Sequence, residues 1–226
     1  MGARGIAALR GWNVAVFAAW LVIPFLAAGT IAWASGWLHH GVLAAALLAH
    51  GAYVARRNPA LRARRRAVGE GAKSWDLWWN AAFWPLMAGI AVSAGVGHRL
   101  GAAPLPAPVA AFGAILLGLA LALSARAMAV NPFFEGTVRI QHDVGHHVVD
   151  SGPYARVRHP GYLGLVGWAL ASPLLLRSAP ALPAAIAAAA WVVLRTALED
   201  ATLARELPGY AAYARRVRWR LVPGVW

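Results

Sequence analysis

Six apolar stretches dominate this chain, and about 20 such residues are what a helix needs to cross the hydrocarbon core of a bilayer. They run from Trp12 to about Ala34 with Pro24 as an expected kink, from Gly36 to Ala55, and from Trp75 to Val96. The others run from Val109 to Val130, from Gly161 to Leu176, and from about Ala181 to Leu198. The last two are short for a full span, so a helical hairpin packed against the others is expected there. The first is too long for a signal-peptide core and lacks a cleavage site, so it is read as a retained helix. The expected fold is all-α: a polytopic transmembrane bundle of five to six segments forming a single membrane domain over 1–226. Residues 1–130 would be a four-helix scaffold and 131–226 the region that carries chemistry. From Glu199 onward the chain is amphipathic and basic, with Tyr210, Tyr213, Val217 and Trp219 among arginines, which suits the membrane interface.

Charge supports the same layout. Of 226 residues, 60% are hydrophobic and 13% charged, too apolar for an ordinary soluble domain. A net charge of +13 would suit nucleic acid only if the cations shared a solvated face. Here they fall in short stretches between apolar runs, so membrane lipids with anionic headgroups are the expected partners and nucleic acid is not. Arg4 and Arg10, Arg56 through Lys73, Arg126 through Arg158 and the tail fall on one side of the six-segment layout. Arg99 and Arg177 fall on the other. The positive-inside rule then puts both termini and the polar segment Asn131 to His159 in the cytoplasm. The Ala- and Arg-rich composition with one lysine is bacterial in style, which points to the inner membrane. The absence of cysteine excludes disulfides, a thiol nucleophile and cysteine-ligated metals.

The densest polar cluster is HHVVDSGPYARVRHPGYLG, His146 to Gly164, followed by RTALED, Arg195 to Asp200. Proline is favoured at the first helical position, so His159-Pro160 predicts a helix start whose free N–H groups suit an anion. Gly161, Gly164 and Gly167 recur every three residues and leave a bare face, open equally to a ligand or to another helix. Arg195 and Glu199 are four apart and share a helix face. They are expected where the sixth segment returns to the surface from which the fifth departs, and ionisable groups at membrane depth usually mark a site.

At these residues the chain resembles the isoprenylcysteine carboxyl methyltransferases and the related membrane phospholipid methyltransferases. The resemblance lies in GPYARVRHPGYLG (Gly152 to Gly164), R-x-x-x-E-D (Arg195 to Asp200) and LPGYAAYARRV (Leu207 to Val217) with the late Pro223. It implies S-adenosyl-L-methionine as cofactor, with no metal. His146, His147, Val148 and Val149 match an extended segment against the cofactor, and Tyr154 matches the family's tyrosine. His159, Pro160, Gly161 and Tyr162 match the element that binds the methionine part. Glu199 matches the acid that holds its ammonium, and Arg195 matches an arginine assigned to the substrate side. Asp200 stands in place of the usual second glutamate, and His146-His147 where a single basic or polar residue is common.

Methyl transfer from a sulfonium is an in-line displacement that needs positioning and exclusion of water. A carboxylate acceptor is already ionised and could be oriented by the planar fork of Arg195, whereas an amine would need a base. Carboxyl O-methylation of a lipophilic acceptor entering from the bilayer is therefore favoured over headgroup N-methylation. His142, His146 and His147 spell one HxxxHH box of the di-iron type, but His39, His40 and His50 do not supply a second. A nicotinamide-dependent reductase would lack its glycine-rich phosphate loop. A non-enzymatic transporter or scaffold would make the same polar residues structural.

Overall fold

The computed structural model describes residues 20–64 and 71–226, the side chains of 62–64 excepted. Among the described residues all regular structure is helical. Helix α1 covers residues 20–28, α2 Ala34–Arg57, α3 Pro59–Arg64, α4 Ser74–Arg99 and α5 Ala107–Val130. Helix α6 covers Pro160–Leu175, α7 Leu182–Glu206 and α8 Tyr210–Arg216. Residues 12–19 of the first apolar run lie outside the described residues, as do Arg4 and Arg10.

Four described helices are long and apolar enough to cross a membrane: Ala34–Arg57, Ser74–Arg99, Ala107–Val130 and the helical stretch Ala179–Glu206. Helix α6, with 16 residues, rises about 24 Å at 1.5 Å per residue, short of the full hydrocarbon thickness. The sixth segment departs from expectation. It does not stop near Leu198 but continues to Glu206, because nothing between them breaks a helix before Pro208. The RTALED residues therefore sit inside a continuous helix and not at its foot.

Small residues set the packing. Helices α5 and α6 form the most extensive pairing. A Cβ on Gly164 would lie 2.6 Å from the Ala120 carbonyl oxygen, and one on Gly167 2.6 Å from the Ala120 Cβ. These two glycines thus serve helix approach, the close-contact mode favoured between helices in lipid. Trp79 and Trp191 lock α4 to α7 reciprocally, each indole donating to the other's carbonyl at 2.7 and 3.1 Å.

The loops sort by end. At one end Arg177 and Leu105 exchange hydrogen bonds, and His98 stacks on Trp33. At the other, the Lys73 N–H donates to the Val138 carbonyl at 3.0 Å, and the Lys73 ammonium pairs with Glu206 at 2.7 Å. The segment 131–159 and the tail share that second end. The tail is not a free interfacial helix. Leu207, Tyr210, Tyr213 and Val217 are buried together against Ile140, Val148 and Leu203. Their 3- and 4-residue spacing makes one apolar stripe, and Gly209, at φ +84°, supplies the turn that folds α8 back.

Candidate active site

A cavity opens at this end among α6, α7, α8 and the segment 131–149. His159 stands just before α6 and Pro160 at its first position, so the helix starts where the proline's missing N–H costs nothing. His146, His147, Val148, Val149, Tyr154, His159, Gly161, Tyr162 and Glu199 all line the cavity. Pro160 is buried in the first turn and is not part of the lining. A Cβ at Gly161 would come within 2.5 Å of the Phe134 ring, so this glycine lets an aromatic wall residue close against the helix start.

The centre of the wall is Tyr162 with Glu199. The Tyr162 hydroxyl donates to Glu199 Oε2, and the His159 ring lies parallel to the Tyr162 ring, centroids 5.7 Å apart. Arg195 does not pair with Glu199, the neighbour one turn along its helix. Its Nε lies 2.9 Å from Asp76 Oδ1, and its Nη2 donates to Asp76 Oδ2 at 3.1 Å and to the Gly136 carbonyl at 2.9 Å. The guanidinium packs over Trp79 at 4.2 Å and Tyr162 at 5.2 Å, and Arg195 is not among the lining residues. It stands behind the Tyr162 wall, with its fork engaged.

Asp200, next to Glu199, does different work. Its carboxylate accepts from Arg158 Nε at 2.7 Å and Nη2 at 2.9 Å, from the Tyr210 hydroxyl at 2.8 Å and from Arg220 Nε at 2.8 Å. His159 Nε2 lies 3.1 Å away. Arg158 also donates to the Val217 and Arg218 carbonyls, and the backbone N–H groups of Arg158 and His159 donate to Trp219 and Arg220. One buried acid thus ties α7, the RHP element and the tail together. Burial disfavours the charge on Arg158, but hydrogen bonding and attraction to Asp200 outweigh it and raise its pKa. Burial, with Asp200 beside it, pushes the Tyr210 phenol far above its ordinary range.

The remaining wall is formed by 131–149. Asn131 donates to the Tyr154 hydroxyl at 3.0 Å, and Tyr213 donates to the Tyr154 carbonyl at 2.8 Å. Burial raises the Tyr154 phenol and lowers the His146 imidazole from their usual values. His146 packs on Phe133, centroids 4.5 Å apart, and its Nδ1 accepts from the Gln141 backbone N–H. Among the described residues no three His, Asp or Glu side chains converge in metal-ligating geometry. His146 and His147 of the HxxxHH spacing both pack against Phe133, with ring centroids 4.5 and 4.8 Å away.

The roles of three residues are not given by the sequence. Asp76 is fully buried, and an acid one residue into an apolar run is its available signal. Asp200 is legible only as a replaced glutamate. Gln141 lines the cavity, 2% exposed; its Nε2 donates to the Phe133 carbonyl at 2.7 Å while its Oε1 has no partner among the described residues. No pattern in the sequence singles it out.

No curated protein matches the chain. Residues 112–205 match the isoprenylcysteine carboxyl methyltransferase (ICMT) family. That stretch runs from α5 to the end of α7 and takes in the segment 131–159, the start of α6 and Glu199. The region that builds most of the cavity is therefore similar to the isoprenylcysteine carboxyl methyltransferase family of membrane methyltransferases.

Proposed function

We propose that the cavity binds S-adenosyl-L-methionine and that the chain transfers its methyl group to a lipophilic acceptor, a carboxylate by preference. The observation that carries this reading is the Tyr162–Glu199 pair on the cavity wall, inside a segment of the methyltransferase family.

The lining fits the cofactor's chemistry. Glu199 accepts the Tyr162 phenol O–H on Oε2, and its carboxyl group on the cavity wall is placed to receive an ammonium group. Gln141 Oε1 is a buried acceptor without a donor among the described residues, a place for a cofactor amine. Phe133, Val148, Val149 and Leu203 give the apolar walls. When bound, the cofactor supplies an electrophilic methyl carbon on a sulfonium.

The protein's part is placement. Glu199 would fix the amino-acid end, Tyr162 would hold Glu199 in one rotamer, and Asp200 would keep the first turn of α6 against α7. Arg195 becomes a positioning residue: it carries the Tyr162 ring and is itself held by Asp76. The preference for a carboxylate acceptor then rests on chemistry and family, since a carboxylate needs no base, and not on a free arginine fork. The site would face the cytoplasm, because exposed Arg56, Arg57, Arg126, Arg156, Arg205, Arg215, Arg216 and Arg218 lie at its end of the bundle. The acceptor would enter from the bilayer.

The test is to incubate membranes holding the protein with methyl-labelled cofactor, extract the lipids and treat them with mild base. Label released by base marks an ester and supports the reading. Base-stable label on an amine would transfer the function to headgroup N-methylation, and no labelled lipid together with no binding of S-adenosylhomocysteine would end it.

A further inference from the structure

A second group of polar side chains lies inside the bundle, away from the cavity. Trp20 on α1, His39 and His40 on α2 and Trp168 on α6 pack ring against ring. The Trp20 centroid is 6.4 Å from those of His39 and Trp168 and 5.9 Å from that of His40, and the two histidines are 5.2 Å apart. His39 is 1% exposed, and His40 and Trp168 are 6% exposed. Trp168 stands eight residues beyond the start of α6, about 12 Å along its axis at 1.5 Å per residue, so the group is at membrane depth.

Among the described residues, five of their nitrogens have no hydrogen-bond partner: Trp20 Nε1, His39 Nδ1 and Nε2, His40 Nε2 and Trp168 Nε1. The chemistry of each can be assigned. Indole nitrogens only donate. His40 Nδ1 lies 2.7 Å from the Gly36 carbonyl, which only accepts, so Nδ1 carries the proton and in the neutral ring Nε2 is a bare acceptor. Neutral His39 adds one donor and one acceptor. Leaving all five bare in a hydrocarbon surround would cost a large part of a fold's net stability. Such groups are satisfied by something, and the mixture of donors and acceptors selects an amphiprotic occupant.

We propose that Trp20, His39, His40 and Trp168 form an intramembrane binding site for a hydroxyl group, supplied either by ordered water or by a lipophilic alcohol. The oxygen accepts from the indole N–H groups and its own O–H donates to His40 Nε2. This site is independent of the methyl-transfer reading and uses none of its residues.

Nuclear magnetic resonance on the full chain in lipid nanodiscs, with the tryptophan indoles labelled with nitrogen-15, tests it. Trp20→Phe and Trp168→Phe assign the two signals. The Trp79 indole, which already donates to the Trp191 carbonyl, is the internal control. Water cross-peaks at the Trp20 and Trp168 indoles but not at Trp79 identify water. A shift of the same two signals on adding 1-dodecanol, absent with dodecane and weakened in His40→Phe, identifies an alcohol. Indoles that show neither water contact nor a dodecanol response overturn the site, and sequential assignment of the indole signals in the wild-type protein delivers that result if the variants fail to fold.

Discussion

Asp76 and Arg195 lie 119 positions apart in the sequence yet meet at 2.9 Å in the buried interior, carboxylate against guanidinium. The pair joins α4, outside the family-matched region, to the wall that holds Tyr162. Asp76 Oδ2 also accepts the Val138 N–H at 2.8 Å, so the same acid anchors a second segment that lines the cavity.

Replacing Asp76 with Ala leaves a buried guanidinium without its counter-charge, a change that typically costs about 3–5 kcal/mol. A clear fall in thermal unfolding temperature is expected. Asp76→Asn keeps an acceptor for Val138 and should fall between the two while still weakening S-adenosylhomocysteine binding. An Asp76→Asn protein with wild-type affinity would show that the cavity wall does not depend on this ion pair.

Glu199→Gln preserves shape and removes charge. A hydrogen bond to a charged group contributes about 1.5–3 kcal/mol, so calorimetric titration should show roughly 10- to 100-fold weaker binding of S-adenosylhomocysteine. Tyr162→Phe should lose less, since it frees the carboxylate from its phenol but leaves the charge in place. Equal binding by wild type and Glu199→Gln would remove the carboxylate from the site.

Alkali should destabilise the tail. Burial raises the phenols of Tyr154, Tyr210 and Tyr213 above the ordinary tyrosine range. Their stabilising contribution is complete below the ordinary tyrosine pKa and is lost as pH climbs from about 10 toward the higher folded values, because the unfolded chain releases those protons first. Unfolding followed by tyrosinate absorbance from about pH 8 to about pH 12, a window that brackets the ordinary phenol pKa, should reveal a cooperative loss that Tyr210→Phe shifts to higher pH. Three phenols titrating independently near the ordinary value in the folded protein would contradict the burial.

Gly164→Val should separate α5 from α6. Its Cβ would meet the Ala120 backbone oxygen at 2.6 Å, and overpacking of this kind costs about 1–3 kcal/mol. Gly118 provides the control, because a Cβ added there would meet nothing within 4 Å. Gly118→Ala should leave the unfolding temperature unchanged or raise it.

The helical bundle is readable because composition and segment length act locally: an apolar run of bilayer length has few alternatives to a helix. The RHP start of α6 is equally readable, since proline fixes its own backbone. The end of α7 is not, because hydropathy falls after Leu198 while helix propensity does not. The tail carries the local signal of an interfacial helix, although its tyrosine stripe has a protein surface to cover.

What the sequence determined by itself is the set of helices, the end of the bundle where the polar residues collect and the family likeness of residues 112–205. The tertiary structure alone decided the partners: that Arg195 answers Asp76 and not Glu199, that Glu199 lines the cavity with the Tyr162 hydroxyl on its carboxyl group, and that Asp200 gathers Arg158, Tyr210 and Arg220. An ion pair depends on distance in space, and the helices that fix those distances are packed by contacts between residues far apart along the chain.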